Sequence, residues 1–379
     1  SGWITTGPKT KELERRLSGF TNTPKTVCLN SATAALELTL RVLGIGEGDE
    51  VIVPAMTYTA SCSVIYHVGA KAVIVDIAED SHEMDYDALA DAITENTKAV
   101  IPVDLAGIPC DYDKIFEVVE SKKHLFKANS EYQEKLDRVA VVADGAHALG
   151  STYKGEEIGS VADFTTFSFH AVKNFTTAEG GSVTWKQNEN FDNEELYREY
   201  QIYSLHGQTK DALAKTKAGS WEYDIVIPGY KCNLTDIAAS IGLVQLDRYP
   251  KLLDRREDII SQYNKGFKGT RITALSHSSD AYKSCGHLYI THVEGATFEQ
   301  RGEIIVKMAE RGISCNVHYK PLPLLTAYKN LGFDIENYPN AYNYYVKEIT
   351  LPLHTRLSDE DVAVIISNFK EIVEEVVGE

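Results

Sequence analysis

The sequence predicts an α/β fold, a mostly parallel central sheet followed by a smaller α+β unit, on three observations. Short continuous runs of β-branched residues recur through the first two-thirds of the chain, amphipathic stretches of helical period separate them, and the pattern changes after about residue 250. Continuous apolar strands are those buried on both faces, and parallel strands need helical crossovers that cover those faces.

The elements follow in order. A helix is expected over 32–43, where Ala35, Leu36, Leu40 and Leu43 share a face. The run 50–53 (Glu-Val-Ile-Val) reads as a strand ending at Pro54, and 72–76, 99–103 and 138–144 read as further buried strands. Helical patterns fill 86–93 and 112–121, whereas the polar, lysine-rich stretch 121–137 reads as an exposed, partly helical insertion. Residues 163–169 alternate, with Phe164, Thr166 and Ser168 against Thr165, Phe167 and Phe169. Beyond 250 come a helix near 251–265, a strand over 287–293, a helix over 297–311 and a strand over 313–319. The last helix starts at a capping-box-like Ser358-x-x-Asp361, and Val362, Ile365, Phe369, Ile372 and Val373 then recur at helical spacing. The 379 residues thus divide into a large unit, 1–250, and a small one, 251–379.

Composition excludes several classes. The 38 Lys and Arg against 55 Asp and Glu give a formal charge of −17, which opposes non-specific nucleic-acid binding. Hydrophobic content of 43% and charged content of 25% are ordinary for a globular chain. No apolar run is long enough to span a bilayer. The six cysteines form no C-x-x-C pair, so reduced thiols in a cytoplasmic enzyme are expected. The N-terminal Ser-Gly-Trp-Ile-Thr-Thr-Gly-Pro lacks the apolar core of a signal peptide and lacks a Met, so the chain is expected to begin inside its native sequence. His147 and His170 have no third ligand at a suitable spacing, so no metal site is expected.

Two residues carry the chemistry. Lys173 follows a buried strand, where α/β folds place reactive groups and desolvation favours a neutral amine; on spacing alone a single lysine is usually a surface lysine, so the physics leaves the two readings about even. Asp144 ends the strand 138–144, as a helix N-cap or as a buried carboxylate with a cationic partner. Together they suggest a site for pyridoxal 5′-phosphate (PLP), held by a lysine while an acid pairs with the protonated ring nitrogen.

The segment Ser168-Phe-His-Ala-Val-Lys173-Asn-Phe-Thr-Thr-Ala-Glu-Gly-Gly181 resembles the signature of the DegT/DnrJ/EryC1/StrS family, PLP-dependent nucleotide-sugar aminotransferases of fold type I. The resemblance extends over nearly the whole chain. Asn30-Ser-Ala32-Thr33-Ala-Ala-Leu36 resembles the family's phosphate loop, with Ala32 in place of the commoner glycine. Pro54-Ala-Met-Thr-Tyr58 resembles the segment whose aromatic ring stacks on the cofactor. By the same resemblance His147 meets the cofactor ring and Ser168 its phosphate. Gly229-Tyr-Lys231-Cys-Asn233-Leu-Thr-Asp resembles a loop that crosses a homodimer interface, its Asn reaching the neighbour's cofactor. Gly312-Ile-Ser-Cys-Asn-Val-His318-Tyr319-Lys-Pro321 resembles the substrate segment, and Lys231 is a candidate to meet a diphosphate.

The resemblance implies transfer of an amino group from L-glutamate to a nucleotide-linked keto-sugar, at C4 of a UDP- or dTDP-linked 4-keto sugar, with pyridoxamine phosphate as the intermediate cofactor form. The rivals are a C3-sugar or inositol-ketone aminotransferase of the same family and, from another class, a non-catalytic binding or regulatory protein. The presence of Lys173, Asp144 and Ser168 argues against the last.

Overall fold

The computed structural model describes residues 2–210 and 222–378. Its strands are β1 (Thr26–Leu29), β2 (Glu50–Pro54), β3 (Lys71–Val75), β4 (Thr97–Val100), β5 (Ala140–Asp144), β6 (Thr152–Tyr153), β7 (Glu156–Glu157), β8 (Phe164–Ser168), β9 (Gly181–Trp185), β10 (Ile272–Ala274), β11 (Tyr282–Lys283), β12 (Tyr289–Val293) and β13 (Glu348–Leu351). Seven of them form the main sheet in the order β1-β9-β8-β5-β4-β2-β3. All of its pairings are parallel except those of β9, which runs against both β1 and β8. The other six strands therefore end at the same edge of the sheet.

Strand alternation sorts the sheet's side chains into two cores. Val27, Leu29, Val51, Val53 and Val142 lie in one, and Cys28, Ile52, Val141 and Ala143 in the other. This is the two-sided burial that the continuous apolar runs predict. Helix Ala32–Val42 buries Leu36 and Leu40 as expected, and Ser31 caps it by accepting from the Ala34 amide.

The N-terminal helix Pro8–Phe20 and strand β1 escape the sequence reading. That helix has no cap of its own. The Asp236 carboxylate, 226 residues or more away in sequence, accepts instead from the amides of Gly7, Lys9 and Thr10 at 2.8, 3.1 and 2.9 Å.

The stretch 121–137 contains a short helix, Glu131–Leu136, and is only partly a surface feature. Its Tyr132, Gln133 and Leu136 are buried, and both Ser130 Oγ and Gln133 Nε2 donate to the Leu43 carbonyl, at 2.7 and 2.8 Å. The helix expected near 251–265 is the second half of a 32-residue helix, Asp236–Phe267, with Pro250 inside it. The helix changes packing partners between Leu253 and Ile259, a few residues beyond 250, with no break in the chain.

The second half of that helix joins a third core, built with the antiparallel sheet β10-β12-β13 and helices Phe298–Glu310 and Asp359–Val377. Ser358 and Asp361 form the expected capping box. The strand expected over 313–319 does not form. Only Asn316 bridges to Thr350, and the rest of the segment is irregular because its side chains face a cleft rather than a sheet partner.

Candidate active site

The C-terminal edge of the main sheet gathers the site, as α/β topology dictates. Residues at or beyond the ends of β1 (Ser31, Ala32, Thr33), β2 (Thr57, Tyr58), β4 (Val103), β5 (Asp144, His147) and β8 (Ser168, Lys173) line one cavity of about 390 Å³. Eight of the eleven expected site residues meet there: Lys173, Asp144, His147, Ser168, Ala32, Thr33, Tyr58 and Tyr319.

Lys173 sits on the loop 169–180 between the antiparallel strands β8 and β9. Three bonds close this loop: Phe169 N to Gly180 O, Thr177 N to Phe169 O and Lys173 N to His170 O. Asn174, next to Lys173, clamps it from outside, donating to the Cys285 carbonyl at 3.0 Å and accepting from His287 Nδ1 at 2.9 Å. Burial pulls the Lys173 amine down to about 8, against the opposing attraction of Asp144. A substantial neutral fraction is therefore present near neutral pH.

Asp144 is a buried carboxylate and caps no helix. Burial pushes it up, opposed by Ser61 Oγ donating to Oδ2 at 2.6 Å, by the Ala146 amide donating to Oδ1 at 3.1 Å, and by Lys173. Its charge is thus held by two hydrogen bonds but has no cation in direct contact among the described residues, which suits it to a cationic ligand.

The start of helix Ala32–Val42 supplies the complement. Ser31 satisfies the Ala34 amide, which leaves the Ala32 and Thr33 amides at the cavity wall as a ready anion site. Gly181 explains how that turn comes so close: a Cβ there would lie 2.3 Å from Ala32 N. The last glycine of the signature thus lets β9 lie directly behind the anion loop.

Tyr58, 59% exposed, stands at the mouth, its ring 5.8 Å from that of Tyr319. His147 lies on the other side of the site. Its Nε2 is 3.2 Å from the Tyr319 hydroxyl, Nδ1 accepts from the Ala106 amide at 3.3 Å, and its ring is 4.3 Å from that of His287. Burial, together with the charge of Lys173, pushes His147 well below the ordinary histidine range, so it is neutral.

The other three expected residues lie elsewhere. His318 lines a second, larger cavity of about 890 Å³, which shares His147, Val172, Lys173 and Tyr319 with the first. Asn233 and Lys231 line neither cavity. Asn233 bridges to Leu29 and donates to Thr6 Oγ1, while Lys231 donates to Asn233 Oδ1.

Sequence reasoning missed Ser61 and His287. Ser61 lies three residues past Tyr58, so the segment itself placed it near the site; His287 follows no local signal and arrives only through the fold. Among the described residues no group of three or more His, Cys, Asp or Glu is arranged to hold a metal ion, and no helix is long and apolar enough to cross a membrane.

This donor set fits PLP. Lys173 is a depressed amine able to bond its aldehyde, Asp144 a buried acid for its ring nitrogen, the Ala32 and Thr33 amides and Ser168 a phosphate site, and Tyr58 a ring to cover it.

The comparisons agree. The DegT/DnrJ/EryC1/StrS aminotransferase family model matches residues 1–370. The spore coat polysaccharide biosynthesis protein SpsC of Bacillus subtilis is 38% identical over 98% of this chain and 92% of its own. Spr1654 from Streptococcus pneumoniae, assigned as a sugar aminotransferase and solved with the cofactor in its PMP form, superposes with a TM-score of 0.97. It is 69% identical, over 99% of this chain and 94% of that one. Its PLP form gives a TM-score of 0.96. Helicobacter pylori PseC, an aminotransferase involved in the biosynthesis of pseudoaminic acid, gives a TM-score of 0.83 at 28% identity, over 99% and 94% of the two chains. The chain belongs to the DegT/DnrJ/EryC1/StrS aminotransferase family: it is a PLP-dependent aminotransferase with the fold of sugar aminotransferases.

Proposed function

We propose that this enzyme moves the amino group of L-glutamate onto a nucleotide-linked 4-keto sugar, at C4, for the synthesis of a polysaccharide or related glycan. The observation that carries this reading is the junction of two cavities at Lys173. The smaller holds the donor set for PLP, and the larger, at about 890 Å³, has room for a sugar and a diphosphate. Its described lining carries three cationic groups (Lys173, Arg256 and Arg311) against one carboxylate, Asp361, beside the imidazoles of His147, His287, His318 and His354. A locally basic lining in a chain of charge −17 fits an anionic substrate.

PLP supplies, when bound, an electron sink for charge developing at the amino-acid Cα. Lys173 would hold the cofactor and, when its amine is free, would move a proton between the substrate Cα and the cofactor carbon C4′. Asp144 keeps a proton on the ring nitrogen. The Ala32 and Thr33 amides and the Ser168 hydroxyl bind the phosphate, and Tyr58 and His147 confine the ring.

The working unit of this reading is a homodimer. Ile237, Ile241 and Val244 form an exposed apolar stripe at i, i+4, i+7 on helix Asp236–Phe267, and Val172 and Tyr58 expose apolar surface at the cavity mouth. A second copy covering this surface would bring the 229–236 loop, with Asn233 and Lys231, against the neighbouring site. Ile241→Glu is expected to shift the sedimentation coefficient from dimer to monomer; an unchanged value removes this surface from the reading.

The test of the reaction is spectroscopic. Holoenzyme mixed with L-glutamate is expected to lose its visible band, and a panel of UDP- and dTDP-linked 4-keto sugars is expected to contain one that restores it. A cofactor that glutamate leaves unconverted eliminates the donor. Restoration only by 3-keto sugars or inositol ketones moves the reaction to the rival branch.

A further inference from the structure

β13 carries two polar residues toward the larger cavity, and their hydrogen bonds converge on His318. Glu348 and Thr350 are two apart, so they project from the same face of the strand. Glu348 is fully buried. Its Oε2 accepts from the His318 amide at 2.9 Å, and its Oε1 accepts from Thr350 Oγ1 at 2.7 Å. Thr350 Oγ1 in turn lies 2.9 Å from His318 Nδ1. The Asn316–Thr350 bridge holds the irregular segment beside the strand.

A threonine hydroxyl has one proton to give. With that proton committed to the Glu348 carboxylate, Thr350 Oγ1 can only accept from His318, so the imidazole proton sits on Nδ1. His318 Nε2, which has no hydrogen-bond partner among the described residues, is then a bare acceptor on a ring that lines the cavity beside Lys173. Burial and the charge of Lys173 bring His318 down to about 4, so the ring is neutral at working pH and this tautomer is the one that counts.

We propose that Glu348 is a positioning residue: acting through Thr350, it holds His318 as the Nδ1–H tautomer and presents Nε2 in the cavity as an acceptor for a substrate hydroxyl. The substrate half of this statement rests on the sugar reading above; the tautomer half does not. Tethering the 313–321 segment would need only the bond from the His318 amide to Glu348 Oε2. It would not need the second oxygen, the threonine or the ring.

Protonation of Glu348 would reverse the relay. A proton on Oε1 would be donated to Thr350, Thr350 would donate to Nδ1, and Nε2 would become the donor. Burial raises Glu348 to about 7, opposed by Thr350, the His318 amide and Arg301 on helix Phe298–Glu310. The other titratable groups facing it are the ring of His318, Tyr319 beside it, and Tyr344 on helix Pro339–Lys347. Substrate that needs an acceptor is therefore expected to bind more weakly as pH falls through about 7.

The experiment uses holoenzyme with ¹⁵N-labelled histidine, the His318 signals being identified by their loss in His318→Gln. The wild type at pH 8.5 is expected to show a protonated Nδ1 and a bare Nε2. Glu348→Gln, whose amide can accept from the His318 N–H while donating to Thr350, is expected to move the proton to Nε2. Thr350→Val should abolish the single tautomer, and Thr350→Ser should restore it, which keeps the test open if Glu348→Gln does not fold. A protonated Nε2 in the wild type, or a Thr350→Val spectrum identical to the wild type, overturns the proposal.

With whichever UDP- or dTDP-linked 4-keto sugar is aminated, Thr350→Val is expected to raise KM about fivefold to tenfold with a smaller change in kcat. An unchanged KM overturns the substrate role. A wild-type enzyme that aminates none of these sugars while the spectra behave as stated overturns the sugar reading and not the relay.

Discussion

The two cavities that meet at Lys173 are built by different means. The smaller is made mostly of main-sheet strand ends and two helix starts, with Tyr319 reaching in from the irregular segment, and backbone groups take part in fixing most of its key residues: the Ser31 cap, the closed 169–180 loop, and Asp144 between the Ser61 hydroxyl and the Ala146 amide. The larger is lined on one side by the irregular 311–319 segment, β13 and helix Asp359–Val377, and there the positioning is side chain to side chain, as in His318–Thr350–Glu348. A cofactor shared by a whole family calls for geometry that the fold itself supplies. In the function proposed above, the substrate would be met by side chains outside the main sheet.

The contrast can be broken most severely at Lys173. Lys173→Ala is expected to remove the visible band of covalently held cofactor and to lower turnover by at least about 10³-fold, combining the loss of the nucleophile with that of the proton carrier. A variant that retained both would mean that the smaller cavity is not where the cofactor is held.

Gly181→Ala tests whether the backbone matters as argued. Its methyl would sit 2.3 Å from Ala32 N, so the anion loop must move. Weakened PLP binding is expected in titrations, with roughly 1–3 kcal/mol of lost stability in denaturant melts. Unaltered cofactor affinity would show that the loop's position is not critical.

Ser61→Ala is gentler. It removes one of the two bonds holding the Asp144 charge, worth about 1.5–3 kcal/mol for a charged acceptor. Turnover should fall about tenfold while cofactor remains bound, and the visible band should titrate at altered pH because Asp144 is driven further up. Equal kcat would leave Ser61 a packing residue.

The smallest expected effect is the pH dependence of reconstitution. Lys173 is drawn down to about 8, so its neutral, bond-forming amine is the minority form below that pH and the majority above it. The rate at which apoenzyme regains its visible band should rise as pH passes through about 8 and then level. A rise delayed to the ordinary lysine range would mean that the amine is not desolvated.

Legibility in the sequence followed the same division. The buried strands β2, β3, β4 and β5 were readable because a parallel strand covered on both faces is a continuous apolar run. Lys173, Asp144 and the glycines near 181 were readable because their chemistry is compressed into short segments. The helix Pro8–Phe20 escaped because the side chain that caps it, Asp236, lies more than two hundred residues away. The segment 313–319 was misread as a strand because its apolar and polar residues alternate for a cleft rather than for a sheet. Asn233 and Lys231 line neither cavity of the single chain, and the dimer proposed above is what would give them a role at the site.

By itself, then, the sequence determined the fold class and singled out Lys173 and Asp144 as candidates, because hydrophobic period and short motifs are local properties of the chain. Only the tertiary structure decided that Ser61 donates to Asp144, that the tilted ring of His287 lies 4.3 Å from that of His147, and that Glu348 and Thr350 form a hydrogen-bonded chain to His318. Hydrogen bonds, desolvation and ring contacts act over a few ångströms in space, and residues far apart in the chain reach that range only once the core has formed.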